Sequence, residues 1–287
     1  MYLKCPYDYY VTKILGIEPL EEVTEDLTPL DRGSKVHAIL RNFYLSWNKA
    51  ITRDTIGEAR LLLVSLADAA FAAEADTYRN RRAKEVFLSV MAERFLDAEQ
   101  KFWEQGMKPA YLEQKIAGYR LSLSNGTEVD LSAKIDRIDA DESGNFVIVD
   151  YKTGKYPQPK LGVEQDIFQL PVYAAMAQRA LTTGGPSLKT PVGLAYYDLA
   201  GKTGASARDV VLYNRDSRSE QPSSKPKSSP KSGEEFLTII HQAMDKARTA
   251  VEGILAGDFA PRPQDENACR YCPNGVMCGK SERPRPA

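Results

Sequence analysis

The sequence predicts an α/β fold, and three observations carry that expectation. The first hundred residues space their apolar side chains as helices do. Near Pro109 the period changes to that of strands, and beyond residue 165 a helix, two strands and a long helix follow one another. With 287 residues, 43% hydrophobic and 27% charged, the chain has room for one large domain or two small ones, and for a core without disulfides. This composition excludes wholesale disorder and collagen-like structure. No run approaches the roughly 18 apolar residues that a bilayer span requires. Residues 1–6 lack the apolar centre of a signal peptide, so a cytoplasmic protein with no membrane partner is expected. Lys and Arg number 38 against 39 Asp and Glu, a net charge of −1 that excludes a uniformly basic surface but permits a local basic groove for nucleic acid.

The elements follow in order. Residues 6–15 carry apolar and aromatic side chains and end at Gly16, a plausible helix stop. From Gly33 to Trp47, the side chains Val36, Ile39, Leu40, Phe43, Tyr44 and Trp47 fall on one helical face. Helices over 55–75 and 80–105, rich in Ala, Leu, Glu and Arg, meet near Asp76-Thr77. Strands are expected over 111–123, 129–139 and 145–152, with turn chemistry at Asn125-Gly126 and Ser143-Gly144. A helix over 166–181 contains Pro171, which is tolerable only in a first turn, so its regular part must begin near Gln169. Strands near 191–198 and 208–213 precede a Ser-, Pro- and Lys-rich segment, 216–233, expected to be a flexible loop. A helix over 234–256 leads to the last cysteines. No internal repeat is visible.

The hairpin Ala133–Asp139 and Phe146–Gly154 holds the most chemistry. Centred on Ser143, facing residues sum to 286, which sets Asp136 opposite Asp150. Alternation puts Asp150 and Lys152 on one face and Tyr151 on the other. Asp136 joins the first face from the neighbouring strand, with Cβ atoms about 5 Å apart. Two carboxylates so close raise one another's proton affinity, and a divalent cation removes the conflict. By spacing alone, a surface hairpin with ordinary ion pairs is an open alternative.

The cysteines are lopsided: Cys5 stands alone, while Cys269, Cys272 and Cys278 form C-x2-C-x5-C. Structural disulfides suit a cytoplasmic chain poorly. Four thiolates suit either zinc or a [4Fe–4S] cluster, and spacing does not choose between them.

Taken together, D-R-I-D (136–139) followed by V-D-Y-K-T-G (149–154), with G-x3-H upstream (Gly33 to His37) and Q-x3-Y downstream (Gln169 to Tyr173), resembles the RecB-type branch of the PD-(D/E)XK nucleases. The opening Cys5-Pro6-Tyr7-Asp8-Tyr9-Tyr10 and the terminal cysteines resemble its iron–sulfur members, which include the AddB nuclease domain and the CRISPR adaptation nucleases. The likeness runs from about residue 3 to 279. It implies one restriction-endonuclease-like domain over 1–287, with a mixed central sheet flanked by helices, a helical insertion over about 50–108 and a cysteine cluster region over 258–279.

The resemblance further implies that Asp136, Asp150, His37 and the Tyr151 carbonyl ligate Mg2+ or Mn2+. Lys152, expected between the two aspartates, would stabilise charge on the phosphate, and Gln169 and Tyr173 would line the site. Glu113 matches an acidic position common in this branch, with a surface carboxylate as the competing reading. The cysteines would hold a [4Fe–4S] cluster, in preference to zinc, that ties the chain ends together. The implied activity is hydrolysis of DNA, exonucleolytic on single-stranded or unwound ends, beside a helicase or recombination partner. Two rivals are a CRISPR adaptation nuclease and a non-hydrolytic DNA-binding module of a helicase–nuclease complex. His241 matches no motif. Gly201-Lys202-Thr203 lacks the first glycine of a phosphate-binding loop, since Tyr196 stands there. Arg79, Arg81, Arg82 and Lys84 are expected to form a solvated helix face in preference to a phosphate track.

Overall fold

One strand, β3 (Asn145–Lys152), is buried on both faces, and the architecture is arranged around it. Its run Phe146-Val147-Ile148-Val149 is wholly withdrawn from solvent. The computed structural model describes residues 1–18, 26–103, 106–154, 168–181, 188–201, 208–214, 216, 232–270 and 272–279. Residues 217–231 of the expected loop, and Lys202 and Thr203, lie outside them.

The chain divides into two compact units, one of Met1–Val23, Leu121–Val129 and Asp245–Ala287, the other of Thr24–Arg120 and Asp130–Met244. A five-stranded sheet runs in sequence order: β1 (Lys108–Ser122), β2 (Glu128–Ala140), β3, β4 (Thr190–Asp198) and β5 (Arg208–Tyr213). β2 and β3 pair antiparallel, with Arg137 opposite Val149 and Ile138 opposite Ile148, which is the register expected from the turn. Asp141 fixes that turn by accepting from the backbone N–H groups of Ser143 and Asn145, both at 2.9 Å. β4 lies parallel to β3 and antiparallel to β5, so the sheet is mixed. A parallel neighbour requires a crossover connection, and the segment between β3 and β4 includes α6 (Gln169–Ala180).

Alternation divides the core of the larger unit between the two faces of β3. Phe146 and Ile148, with Leu194 and Tyr196 of β4, pack on Leu170, Ala174 and Ala177 of α6 and on Phe236 and Ile240. Val147, Val149 and Tyr151 belong to the opposite layer, built by α2 (Pro29–Ser46), α3 (Ile56–Phe71) and α5 (Ala92–Trp103). α2 begins four residues before the expected Gly33. Thr28 and Asp31 form a reciprocal capping box there, and Pro29 occupies the first turn, where its missing N–H costs nothing. α4 (Tyr78–Val86) passes through a π-helical turn, Phe87–Met91, into α5. Its basic run is an ion-paired face: Arg79 meets Asp26, Arg81 meets Asp76, Arg82 meets Glu85 and Lys84 meets Asp68.

In the smaller unit, α1 (Pro6–Tyr9) continues as a π-helical turn to Ile14, and Gly16 leaves it with a positive φ of 67°. Phe259 stacks on Tyr10 at 4.9 Å and on Tyr9 at 6.5 Å, and meets Tyr2 edge-on. The Tyr2 hydroxyl donates to the Asp258 carbonyl at 2.7 Å, and Asn274 donates to the buried Asp8 carboxylate at 2.8 Å. Aromatic packing and buried hydrogen bonds therefore join residues near both ends of the chain. Here α7 (Gly233–Leu255) contributes its C-terminal half, including Gly253, against which the Tyr2 ring is pressed so closely that a Cβ would overlap it.

Gly253→Ala should therefore displace Tyr2 and destabilise the smaller unit by about 1–3 kcal/mol, the usual range for overpacking. Thermal unfolding and limited proteolysis near residues 1–17 would read it. The Tyr2→Ala/Gly253→Ala double variant should lose less than the sum of the singles, because the two substitutions remove the same contact.

Candidate active site

The site is assembled from three strands and a helix, all in the larger unit. Asp150 and Lys152 lie on the α6 face of β3, and Asp136 comes from β2. His37 comes from α2 and Glu113 from β1. Gly33, one turn before His37, brings α2 close to the end of β3: a Cβ there would lie 3.3 Å from the Thr153 hydroxyl. That close approach supplies a physical reason for glycine at this position.

Nδ1 of His37 stands 3.3 Å from Asp136 Oδ1 and 3.8 Å from Glu113 Oε1. Ligating atoms of His37, Glu113 and Asp136 all fall within 4.8 Å of one another. The other Asp136 oxygen accepts from the Tyr151 N–H at 2.9 Å, which anchors the carboxylate to β3. Lys152 Nζ lies 2.5 Å from Asp150 Oδ2 in an ion pair. The sequence reading set this lysine between two aspartates, and the structure gives it Asp150 as its ion-pair partner. Lys134 pairs with the second oxygen of Glu113.

Electrostatics follow from burial and crowding. Burial is the largest influence on Asp150 and the Asp136 charge the next, and together they hold its carboxyl above the usual range although Lys152 and His37 oppose them. Burial pulls His37 down, but its hydrogen bond to Asp136 and the charges of Asp136, Glu113 and Asp150 outweigh that and raise its pKa. Burial likewise raises Tyr173, with the charges of Asp150 and Asp136 adding to it. Gln169 donates to the Tyr173 hydroxyl at 2.7 Å, one helical turn apart on α6.

Glu113 emerges as a fuller participant than its sequence position suggested. Among the described residues it is the non-glycine residue with positive φ, at 48°, a conformation that costs about 1–3 kcal/mol and gathers at functional sites. Its Oε1 is buried without a hydrogen-bond partner, and the buried Asp150 Oδ2 has the Lys152 ammonium against it. Two such carboxylate oxygens beside an imidazole are a donor set that fits a hard divalent cation: Mg2+ by its oxygens, Mn2+ also by its nitrogen.

Sequence reasoning missed what stands behind the site. Arg137, Asp139 and Glu99 are fully buried and ion-paired on the opposite face of the sheet. A charged pair alternating with Asp136 and Ile138 near the buried end of β2 was the available signal. His241 is exposed on α7.

All four cysteines are free and belong to the smaller unit; Cys5, Cys272 and Cys278 are half-buried and Cys269 is exposed. Burial is the main cause that raises the Cys272 thiol pKa. Among the described residues, the group of potential metal ligands brought within 4.8 Å of one another is His37, Glu113 and Asp136, and it includes no cysteine.

A family model described as the PD-(D/E)XK nuclease superfamily matches residues 1–279. Similar proteins include an uncharacterized protein, RC0550, of Rickettsia conorii, 24% identical over 160 residues that cover 55% of this chain and 18% of that one. An ATP-dependent helicase/deoxyribonuclease component of Clostridium acetobutylicum is 27% identical over 174 residues, 53% of this chain and 15% of its own. Its namesake in Caldanaerobacter subterraneus is 23% identical over 334 residues, 96% of this chain and 29% of its own. The chain thus spans less than a third of the length of each of these relatives.

Glu113→Gln should weaken Mn2+ binding by at least about tenfold in calorimetric titration, since loss of groups merely behind metal ligands already costs 10–100-fold. Imidazolium cannot ligate a metal, and His37 holds its proton above the usual histidine range. Mn2+ affinity should therefore fall as the pH drops toward and through the ordinary histidine pKa of about 6.5, and the fall should be shallower in His37→Gln.

Proposed function

The chain belongs to the PD-(D/E)XK nuclease superfamily, and on that premise we propose that it is a Mg2+- or Mn2+-dependent deoxyribonuclease, acting as an exonuclease on single-stranded or unwound DNA ends in recombination and repair. The observation that carries this reading is the convergence of His37, Glu113 and Asp136 beside Asp150 and Lys152, with Glu113 Oε1 buried without a hydrogen-bond partner and Asp150 buried against Lys152. His37, Glu113, Asp136, Asp150 and the Tyr151 carbonyl would hold the metal. When bound, it supplies Lewis acidity toward a phosphate oxygen and makes hydroxide accessible near neutral pH.

The protein's own groups do the rest. Lys152, fixed against Asp150, presents a positive charge where negative charge builds on phosphorus. Burial of Asp150 strengthens that interaction by excluding water. Tyr173 and Gln169 offer a hydroxyl and an amide that orient water or a DNA phosphate. Relatives named as components of an ATP-dependent helicase/deoxyribonuclease support a helicase partner that supplies unwound strands. In this reading Cys5, Cys269, Cys272 and Cys278 hold a [4Fe–4S] cluster that reinforces the aromatic closure of the smaller unit. The protein works in the cytoplasm.

Lys152→Ala should keep Mn2+ and DNA affinity while losing about a hundred- to a thousandfold in turnover on end-labelled DNA, the range for a preorganised charge stabiliser. Ordinary turnover in that variant would refute the assigned role. Protein purified without oxygen should be brown and contain about four irons per chain. A colourless protein with one tightly bound zinc would exclude the cluster.

A further inference from the structure

The reverse face of the sheet carries a buried polar network that the proposed chemistry does not use. The Arg137 guanidinium grips Glu99 with two nitrogens, at 2.9 and 3.1 Å, and donates from Nε to Asp139 at 2.6 Å. It also donates to the hydroxyls of Tyr44 at 3.0 Å and Tyr151 at 3.4 Å, and lies over the Tyr44 ring. Tyr44 donates in turn to Glu99, and so does Tyr197, at 2.8 Å. Arg137, Glu99 and Asp139 are wholly shielded from solvent. An ion cluster this deep adds little net stability compared with apolar packing, and its recurring use is to fix one arrangement of the elements it joins.

What it joins is the supply of site residues. Tyr44 lies two helical turns beyond His37 on α2. Arg137 follows Asp136 on β2, and Tyr151 stands between Asp150 and Lys152 on β3, its ring edge-on to His37 at 5.6 Å. Side chains alternate along a strand, so a group that holds residue 137 or 151 from behind fixes the aim of 136, 150 and 152 in front.

We infer that the Arg137–Glu99–Tyr44 network is a positioning device for the metal ligands, setting α2 against β2 and β3 so that His37 and the carboxylates meet at one point. This rests on the nuclease reading above and extends it to residues that touch neither metal nor DNA. Tyr197 provides an internal control, because it bonds the same Glu99 from β4, a strand that contributes no proposed ligand.

The test compares Mn2+ affinity by calorimetry, together with melting temperature, in the full chain and in Tyr44→Phe, Tyr197→Phe and Asp136→Asn. Tyr44→Phe keeps the ring over Arg137 and removes the hydroxyl alone. The expected result is a loss of about tenfold in Mn2+ affinity for Tyr44→Phe, within the range for groups that orient ligands. Tyr197→Phe should stay within about threefold of wild type at a comparable melting temperature. Unchanged affinity in Tyr44→Phe, or equal losses in the two tyrosine variants, would overturn the inference and leave the network a structural core. Should Tyr44→Phe fail to fold, Tyr151→Phe makes the same comparison from β3. Failure of the wild type to bind any Mn2+ that Asp136→Asn abolishes would instead overturn the metal site, and this inference with it.

Discussion

Like charges gathered at one half-buried place are the constraint on which the rest of this molecule depends. Glu113 and Asp136 converge on one point with His37, Asp150 lies near enough to feel the Asp136 charge, and Glu113 Oε1 is buried without a hydrogen bond. Two unit charges 4 Å apart repel by about 4 kcal/mol at an effective dielectric of about 20, so the arrangement persists only because other parts of the fold impose it. Lys152 and Lys134 each neutralise one carboxylate, and His37 holds a proton more firmly than an ordinary histidine. A hard divalent cation is the ligand that relieves this crowding best, and the proposed nuclease chemistry follows from that relief.

Imposing such an arrangement requires a rigid platform, and β3 provides it. Buried on both faces, it places Asp150 and Lys152 in front and Tyr151 behind with no freedom to exchange them, because a one-residue slip would turn Asp150 and Lys152 into the apolar layer that Val147, Val149 and Tyr151 fill. Antiparallel pairing to β2 sets Asp136 beside it, and parallel pairing to β4 requires the crossover that includes α6, with Gln169 and Tyr173. The left-handed backbone of Glu113 stores some of the cost locally, and the ion cluster behind the sheet spreads the remainder over α2, α5 and β2.

Much of this was legible in the chain itself. The Ser143-centred register was, because a tight turn between alternating strands leaves one pairing. So was the start of α6, since Pro171 is tolerated only near a helix start. The early start of α2 was written in Thr28-Pro29-Leu30-Asp31 but was masked by the stronger apolar periodicity that follows it. Glu113 was only half legible: its acidity was visible, whereas a positive φ inside a strand leaves no mark on composition. The pairing of Arg137 with Glu99 was out of reach, since 38 residues and the whole of β1 separate them and only the folded sheet brings them together. The division into two units was also hidden, because the smaller one is built from three separated segments.

The most direct measurement is a crystal of the full chain soaked in Mn2+, with the ion located by its anomalous scattering. The expected result is a peak enclosed by His37, Glu113, Asp136 and Asp150, and its loss in Asp136→Asn. A peak elsewhere, or none while the His37–Asp136 contact persists, would contradict the claim that these carboxylates are gathered to hold a metal.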